Sequence, residues 1–489
     1  MKRIAIVGGG ISGLAAAYEL EQQRRNGASV EWELFEASGR LGGLLSTTRV
    51  EMPSGRFVME DGPDGWVTEK PWARELAEEL GLGGEVIACN EERRRTLVLV
   101  GERMEAMPQR MRMMVPEDLD ALQGSSFFTD DAIAAYAQEL ESAEALKASA
   151  PGKDESVASF VERHFGHEVL EKIGAPLLGG VFGGDAYKLS VRAVMPQFVK
   201  MEQEHGSLIV ALQTRSRERG ERKPQPAFQS LKDGMGSLME AIVARLPMSR
   251  VHLNSPVADV FRDKHDDSKW HVTYDAPDVR KSDGAKFLWD GEFEHLILAT
   301  PVDIARSLLP GADYDLRLDR QLPTDASSAV LVAMGWEREA AKSIHVPEGF
   351  GFLVPVGSTE TTLLATTFVD QKYPYRAPEG GRILRAFFGG SHAEAMLSAS
   401  DEEIVTAAHT QLSRILGPLP APEAALTTVR RWPRSLPQYE VSHLERMAQL
   451  DELVARIGNL TLLGNSYRGV GVPDLIRDAR AAALKIAEE

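Results

Sequence analysis

Apolar positions recur in short periodic runs along the whole chain. In "RIAIVGGGISGLAAAYEL" the run Ile4 to Val7 is continuous, as in a strand covered on both faces. It breaks into glycines before a helical period sets in from about Ser12. "SVEWELFE" alternates apolar and polar residues and predicts a second strand ending at Glu36. "DGPDGWVTEKPWARELAEELGL" (Asp61 to Leu82) reads as a Gly/Pro turn and an amphipathic helix, and "TLVLVGERMEAMP" as a short hairpin. Residues 109 to 212 are mostly of helical period, clearest in "DDAIAAYAQELESAEALKAS". "RSRERGERKPQP" (Arg215 to Pro226) is a polar loop, and its interleaved glutamates argue for a solvated loop over a basic patch.

"FQSLKDGMGSLMEAIVARL" predicts a turn and helix, and "SRVHLNSPVADVFRD" a strand. "WHVTYDAP", a polar hairpin tip and "EFEHLILATP" return the chain to the first sheet. Strands at "AVLVAMGW", "LLATTFVD" and "RILRAFFGG" mark a mixed segment from 303 to 430. There are no repeats and no low-complexity tract. The class is α/β with α+β inserts: one nucleotide-binding domain in three pieces (1–90, 205–302 and 431–489), a largely helical region (91–204) and a mixed-sheet substrate domain (303–430).

Composition removes several functions. A length of 489 suggests roughly three domain-sized units, or two with long insertions. The chain is 43% hydrophobic and 26% charged, with a mean hydropathy of −0.21, as in ordinary soluble proteins. A net charge of −17 argues against a nucleic-acid-binding face, so an anionic substrate has to be met by a local basic patch. Cys89 is the single cysteine, which excludes internal disulfides and cysteine-held clusters and fits a reducing compartment. The 11 histidines form no HExxH-type pair, so no metal is expected. No apolar run reaches about 18 residues, and the N-terminus is a strand rather than a cleavable signal. The expected location is cytoplasmic, with at most a peripheral membrane contact.

Chemistry enters with Gly8-x-Gly10-x-x-Gly13, placed between a strand and a helix as a dinucleotide requires. Gly8 permits the turn, Gly10 lets the backbone approach a pyrophosphate, and Gly13 lets the helix pack on the strand. Ile11 and Ser12 open the helix, and Glu36 puts a carboxylate where a ribose hydroxyl is held. The site is therefore of Rossmann type. The continuation Glu36-x-x-x-Arg40-x-Gly42-Gly43 is typical of FAD-binding proteins of the amine-oxidase type. There Arg40 can neutralise pyrophosphate charge, and Gly42 and Gly43 let the chain pass beneath an extended cofactor.

From end to end the chain resembles the FAD-dependent porphyrinogen oxidases, which act on protoporphyrinogen or coproporphyrinogen. The residues carrying the resemblance are "GPDG" (Gly62 to Gly65), "DESVASFVERHFGHEVLEKIGAPLLGGVFGGDAYKLSVRAVMPQF" (Asp154 to Phe198), "FQSLKDGMGSL", "GFGFLVP" (Gly349 to Pro355), "WPRSLPQY" (Trp432 to Tyr439) and the opening stretch. The resemblance implies that non-covalent FAD removes six hydrogens from a porphyrinogen in three cycles in haem biosynthesis. O2 takes the electrons as H2O2, the flavin carries the chemistry, and no catalytic side-chain constellation is needed. It further implies that Gly62, Pro63, Asp64 and Gly65 line the flavin, that the Val257 backbone holds the adenine end, and that Val470, Gly471 and Val472 lie on the flavin. In "GVGVPDLIRD" a glycine turn opens a helix at Pro473, whose positive end would face the charge on reduced flavin.

For the macrocycle, the family's pocket corresponds to Phe350 and Leu353 as a sandwich, with Gly180 and Phe387 along the edge. These could equally be core positions of a sheet. Family members often carry an arginine at the position of Thr96; here Arg93, Arg94 and Arg95 stand just before it, and Arg95 is the expected propionate anchor, against a solvated charge run. His443 reads as a structural hydrogen-bonding group rather than a base. "MEAMPQRMRMMVP" reads as a methionine-filled loop rather than a membrane-facing surface. A homodimer is compatible with the sequence. The rival readings are an amine oxidase, which in its covalent form carries a cysteine near the C-terminal flavin segment, a carotenoid desaturase, and a tetrapyrrole carrier with a non-catalytic FAD.

Overall fold

The computed structural model describes residues 1–489 except 221–224, 264, 267, 281–285, 312–316, 356–357 and 359–360. The Arg215–Pro226 segment, expected as a loop, is helical up to Arg219 as the end of the helix Leu208–Arg219, and 221–224 and the polar hairpin tip before Lys286 lie outside the described residues.

The continuous apolar run at the N-terminus becomes the central strand Lys2–Val7 of a five-stranded parallel sheet. Its order is Val251–His252, Val30–Phe35, Lys2–Val7, His295–Leu298 and Leu460–Leu462. Parallel strands need cover on both faces. The first helix (Ile11–Arg25) supplies it on one side and is buried from Ile11 to Glu21, because the C-terminal helix (Val472–Glu488) packs over it. Five stretches of chain up to 460 residues apart thus meet in one sheet.

"SRVHLNSPVADVFRD" is two strands, not one. Asn254 turns the chain at φ 52° and Pro256 has no amide hydrogen, so the ladder cannot run through. Val251–His252 stays in the parallel sheet, while Val257–Arg262 opens an antiparallel sheet with Trp270–Arg280 and Lys286–Phe293.

A seven-stranded mixed sheet runs Leu426–Pro437, Ala326–Trp336, Arg382–Gly389, Leu363–Phe368, Gly351–Leu353, Thr96–Val100 and Arg103–Ala106. The hairpin Thr96–Ala106, assigned on sequence to the helical region, joins this sheet through a parallel pairing of Thr96–Val100 with Gly351–Leu353. One face carries Leu97, Leu99, Val330, Val332, Phe352, Leu384 and Phe388 against the helix Asp401–Leu416.

The segment from 130 to 219 is helical, around a core that includes Phe160, Phe165, Ile173 and Leu178. The expected single helix near 130–149 breaks at Ser142 into Asp130–Glu141 and Ala143–Ser149. Leu170–Gly174 is a π-helical turn leading into Ala175–Phe182; Pro176 there offers no amide hydrogen to the carbonyl of Lys172, and the turn widens. No described helix is long and apolar enough to cross a membrane.

Candidate active site

At the carboxyl end of Lys2–Val7 the chain turns through Gly8 at φ 106°. A side chain there would place Cβ 2.4 Å from the Ala299 carbonyl oxygen, and on Gly13 it would lie 1.9 Å from the Gly8 carbonyl oxygen. Both glycines are required by close protein packing. Gly10 differs: its Cβ position meets only the Gly43 Cα at 4.0 Å, so this face of the turn is open. Gly42 pairs with Gly10 in a bridge and donates its amide to the Gly9 carbonyl at 2.8 Å. Gly43 follows at φ 56°.

Glu36 accepts the Gly9 amide on Oε2 at 2.8 Å, and the amide and hydroxyl of Ser38 on Oε1 at 2.8 and 2.7 Å. Oε2 therefore retains capacity for a further donor. The segment leading to Val257 lies alongside, since Glu36 donates its amide to the His252 carbonyl and Ser255 to that of Glu36, both at 2.9 Å. Arg40 is exposed and bonds only carbonyls, of Gly43 at 2.6 Å and Leu41 at 3.4 Å. No carboxylate among the described residues pairs with it. The first turn of the helix carrying Ile11 and Ser12 contains no acid. Thr300, beside Gly8, has a buried hydroxyl without a partner among the described residues. An open backbone face, a helix N-terminus free of acid and, among the described residues, an arginine bonded to carbonyls but to no carboxylate and a hydroxyl without a partner fit the pyrophosphate and ribose of a dinucleotide.

A second wall is Gly62–Gly65. Asp61 donates its amide to the Ser46 carbonyl at 2.9 Å, which lays the segment beside the chain leaving Gly43. Cβ positions on Gly62 and Gly65 would strike the Leu44 and Gln229 carbonyl oxygens at 2.0 and 2.3 Å, so one face of the wall is filled by protein. Pro63 joins these two glycines. The Asp64 carboxylate points away from the open face and accepts Lys372 Nζ at 2.9 Å, with Arg385 Nη1 at 3.5 Å. Burial alone would raise its pKa, but the charges of Lys372 and Arg385 hold it down to about 2. Arg385 also donates to the Gly62 carbonyl, and Ser230 Oγ to the Asp64 carbonyl at 2.6 Å. Arg376 bridges Ser230 Oγ (2.6 Å) and Glu60 Oε1 (2.7 Å). Asp61 accepts Arg430 at 2.9 Å on its carboxylate and the Trp432 indole at 2.9 Å on its carbonyl.

The third element is the turn before the C-terminal helix, which Gly471 caps; Val472 is buried and Pro473 sits in the first turn. Val470 packs against the helical core. Asp474, buried in that first turn, accepts Lys70 Nζ at 2.5 Å and Arg477 at 3.4 Å. The turn is tethered by Tyr439, whose hydroxyl donates to the Asn465 carbonyl at 2.5 Å, and by His443, whose Nε2–H donates to the Tyr467 carbonyl at 2.8 Å. The two rings stack at 4.0 Å. Burial pushes His443 down to about 4, so it is neutral near pH 7 and holds the loop, as its structural reading expects.

Of the residues expected to meet a macrocycle, Leu353 and Phe387 lie on the seven-stranded sheet and Gly180 on the helix Ala175–Phe182. Leu353 registers with Val98 and Ala365, and Phe387 with Ala365 and Leu331. Leu331 in turn registers with Arg430. These residues form one transverse row on the face opposite the Asp401–Leu416 helix, ending at the arginine that holds Asp61. The Cβ position of Gly180 lies 3.3 Å from Leu353 Cδ2, so the helical region closes on this row. Phe387 is half-buried, with the Arg385 guanidinium 5.1 Å from its ring centre. Phe350 donates its amide to the Arg95 carbonyl at 2.9 Å; it precedes the strand and is only half-buried. The Arg95 side chain is exposed and pairs with Glu348 at 3.2 Å, outside the row. Met107, Met111 and Met113 pack partly against the helical core, as a gap-filling loop would.

Sequence reading missed Lys70, half-exposed beside the C-terminal turn, and the cations Lys372, Arg376 and Arg385. The detectable signal was charge within the otherwise apolar "FVDQKYPYRAP" and "ILRAFFG".

Residues 11–487 match the model of the flavin containing amine oxidoreductases. The chain is 31% identical to the coproporphyrinogen III oxidase of Bacillus subtilis (strain 168), over 98% of this chain and 97% of that one. It is 29% identical to protoporphyrinogen oxidase 1, chloroplastic, of Arabidopsis thaliana, over 98% and 87%. A crystal structure from Exiguobacterium sp. 255-15, assigned as a protoporphyrinogen oxidase, superposes with a TM-score of 0.82 at 28% identity, over 100% and 99% of the two chains.

Proposed function

The chain belongs to the flavin containing amine oxidoreductase family, within it to the porphyrinogen oxidases, and on that premise we propose that it oxidises coproporphyrinogen III to coproporphyrin III in haem biosynthesis, with non-covalent FAD and O2 as acceptor. The full-length similarity to the Bacillus subtilis enzyme carries the choice of this porphyrinogen over protoporphyrinogen IX.

The geometry supports the reading at three places. The open face at Gly10 with Arg40, Glu36 and Thr300 suits the phosphates and ribose; Gly62–Gly65 and Val470–Val472 offer bare backbone to a ring system. In the row, the partly exposed Leu353, Ala365 and Phe387 offer an apolar face to a macrocycle, while Val98 and Leu331 on either side of them are buried. When bound, the flavin supplies hydride acceptance, so the protein's task is to orient the substrate and exclude water. Gly180 and Leu353 close the row from the helical side, and Phe350 flanks it. Propionates are met by cations at the rim. Lys70 beside the C-terminal turn and Arg95 are both half-exposed, the first paired with Asp474 at 2.5 Å and the second with Glu348 at 3.2 Å. The carboxylates of Asp474 and Glu348 would then have to yield these cations to the substrate.

The test is anaerobic titration of the yellow protein with coproporphyrinogen III. The expected result is three equivalents of flavin bleached per porphyrin formed, with colour restored by O2. Porphyrinogen bound without bleaching would instead support a carrier.

A further inference from the structure

Behind the Gly62–Gly65 wall lies a set of buried charges that orienting the substrate does not use. Glu60, Asp61 and Asp64 are met there by Lys372, Arg376, Arg385 and Arg430. Asp61 and Arg430 neutralise each other, and the neighbouring Asp370 is paired with Arg382 at 3.6 Å. Three cations then remain against two carboxylates. The side chains of Arg376, Arg385 and Glu60 are nearly inaccessible, with relative exposures of 0%, 3% and 2%.

Arg385 is the least completely bonded of the three. One terminal nitrogen donates to the Gly62 carbonyl, the other stands 3.5 Å from Asp64, and Nε is buried with no partner among the described residues. Burial pulls its pKa downward, yet a guanidinium stays charged. An uncompensated charge in a water-poor interior is costly, and an apolar side chain of similar volume would pack against Phe387 with less penalty. Structural need alone therefore accounts poorly for it. Its guanidinium is bonded directly to the backbone of the wall at Gly62, and a side chain this buried is weakly screened by water.

We propose that Arg385 is a positioning residue that fixes the Gly62 carbonyl and, with Lys372 and Arg376, leaves one net positive charge behind the wall, so that the site favours the reduced, negatively charged flavin over the oxidised one. The inference rests on the flavin reading above. It goes beyond that reading by assigning the oxidising strength of the site to charges from 372–376 and the strand Arg382–Gly389, not only to the C-terminal helix.

The experiment is the midpoint potential of the bound flavin, by spectroelectrochemical titration of flavin-loaded wild type, Arg385→Met and Asp64→Asn. Arg385→Met is expected to cut the preference for reduced over oxidised flavin about tenfold, a fall of about 30 mV for a two-electron couple. Asp64→Asn removes a carboxylate from the same set and is expected to raise the potential by a similar amount. Opposite signs are the signature of charge, because disordering the wall would move both variants the same way. Arg385→Lys should keep most of the wild-type potential. If Arg385→Met fails to fold, Lys372→Met carries the same expected fall. Potentials that stay put, or that shift in one direction for both charge changes, overturn the proposal. A wild type that binds no flavin overturns the underlying reading, a result distinguishable at the first spectrum.

Discussion

Gly10→Ala separates a glycine required by a ligand from one required by the fold. Gly10 caps the first helix at φ −75° and ψ −176°, extended backbone that any residue adopts, and its Cβ position has no protein atom nearer than 4.0 Å. Apo-protein stability should therefore stay within about 0.5 kcal/mol of wild type. The open side is where a pyrophosphate would rest. A charge-assisted contact there needs about 2.8 Å to the backbone, whereas a new methyl holds its neighbours off at about 3.5 Å or more. The phosphate must withdraw by roughly 1 Å, beyond hydrogen-bond range for one or two amides. At about 1.5–3 kcal/mol for each bond to a charged group, the loss is about 3 kcal/mol, or roughly a hundredfold in affinity. Gly13→Ala makes the contrast: its Cβ would stand 1.9 Å from the Gly8 carbonyl oxygen, so it should lose about 1–3 kcal/mol of stability even without cofactor. Urea unfolding of the apo-proteins and titration with FAD, followed by quenching of flavin fluorescence, measure both quantities. A Gly10→Ala protein that binds FAD as wild type does would refute the placement of the cofactor on this face.

Arg376→Met, which strips Glu60 of its buried cation while Thr47 and the Met235 amide remain bonded to it, should cost about 3 kcal/mol in denaturant unfolding. The Glu60→Gln/Arg376→Met double variant should cost less than the sum of the two singles, and additivity would contradict the coupling. Two buried histidines set a pH dependence: burial holds His443 at about 4 and His295 at about 3, against about 6.5 when unfolded. The unfolded chain takes up protons first, so stability falls as pH drops below about 6.5. The loss is complete near pH 4 for His443 and near pH 3 for His295; His443→Gln should reduce the slope between pH 6 and 4 by about one proton. Phe387→Ala should raise KM for the porphyrinogen about tenfold, the equivalent of about 1.4 kcal/mol of apolar contact, with the flavin spectrum unchanged; an unchanged KM would return Phe387 to the sheet core.

What the sequence disclosed is what short-range physics dictates. Gly8, Gly10 and Gly13 are legible because a strand, a turn and a helix must follow one another within a dozen residues. Pro473 after the Gly469–Gly471 turn is legible for the same reason. His443 was readable as a structural group, and its bond to the Tyr467 carbonyl and stack on Tyr439 bear that out. Pairings between distant segments were hidden. Nothing local in "TLVLV" announces a parallel partner at Gly351–Leu353, about 255 residues on. The same holds for Asp64 with Lys372, Gly62 with Arg385 and Asp61 with Arg430, separated by 308, 323 and 369 residues. Arg95 shows the converse: a charge run read as an anchor finds Glu348 on the protein's own surface.

The central claim is the oxidation itself. It is tested most directly by aerobic turnover of the FAD-loaded protein with coproporphyrinogen III and protoporphyrinogen IX in parallel, following porphyrin fluorescence and peroxide. The account predicts fluorescence from both, kcat/KM higher for coproporphyrinogen III, and three peroxides per porphyrin. Absence of porphyrin from either substrate, with FAD still bound, would contradict it.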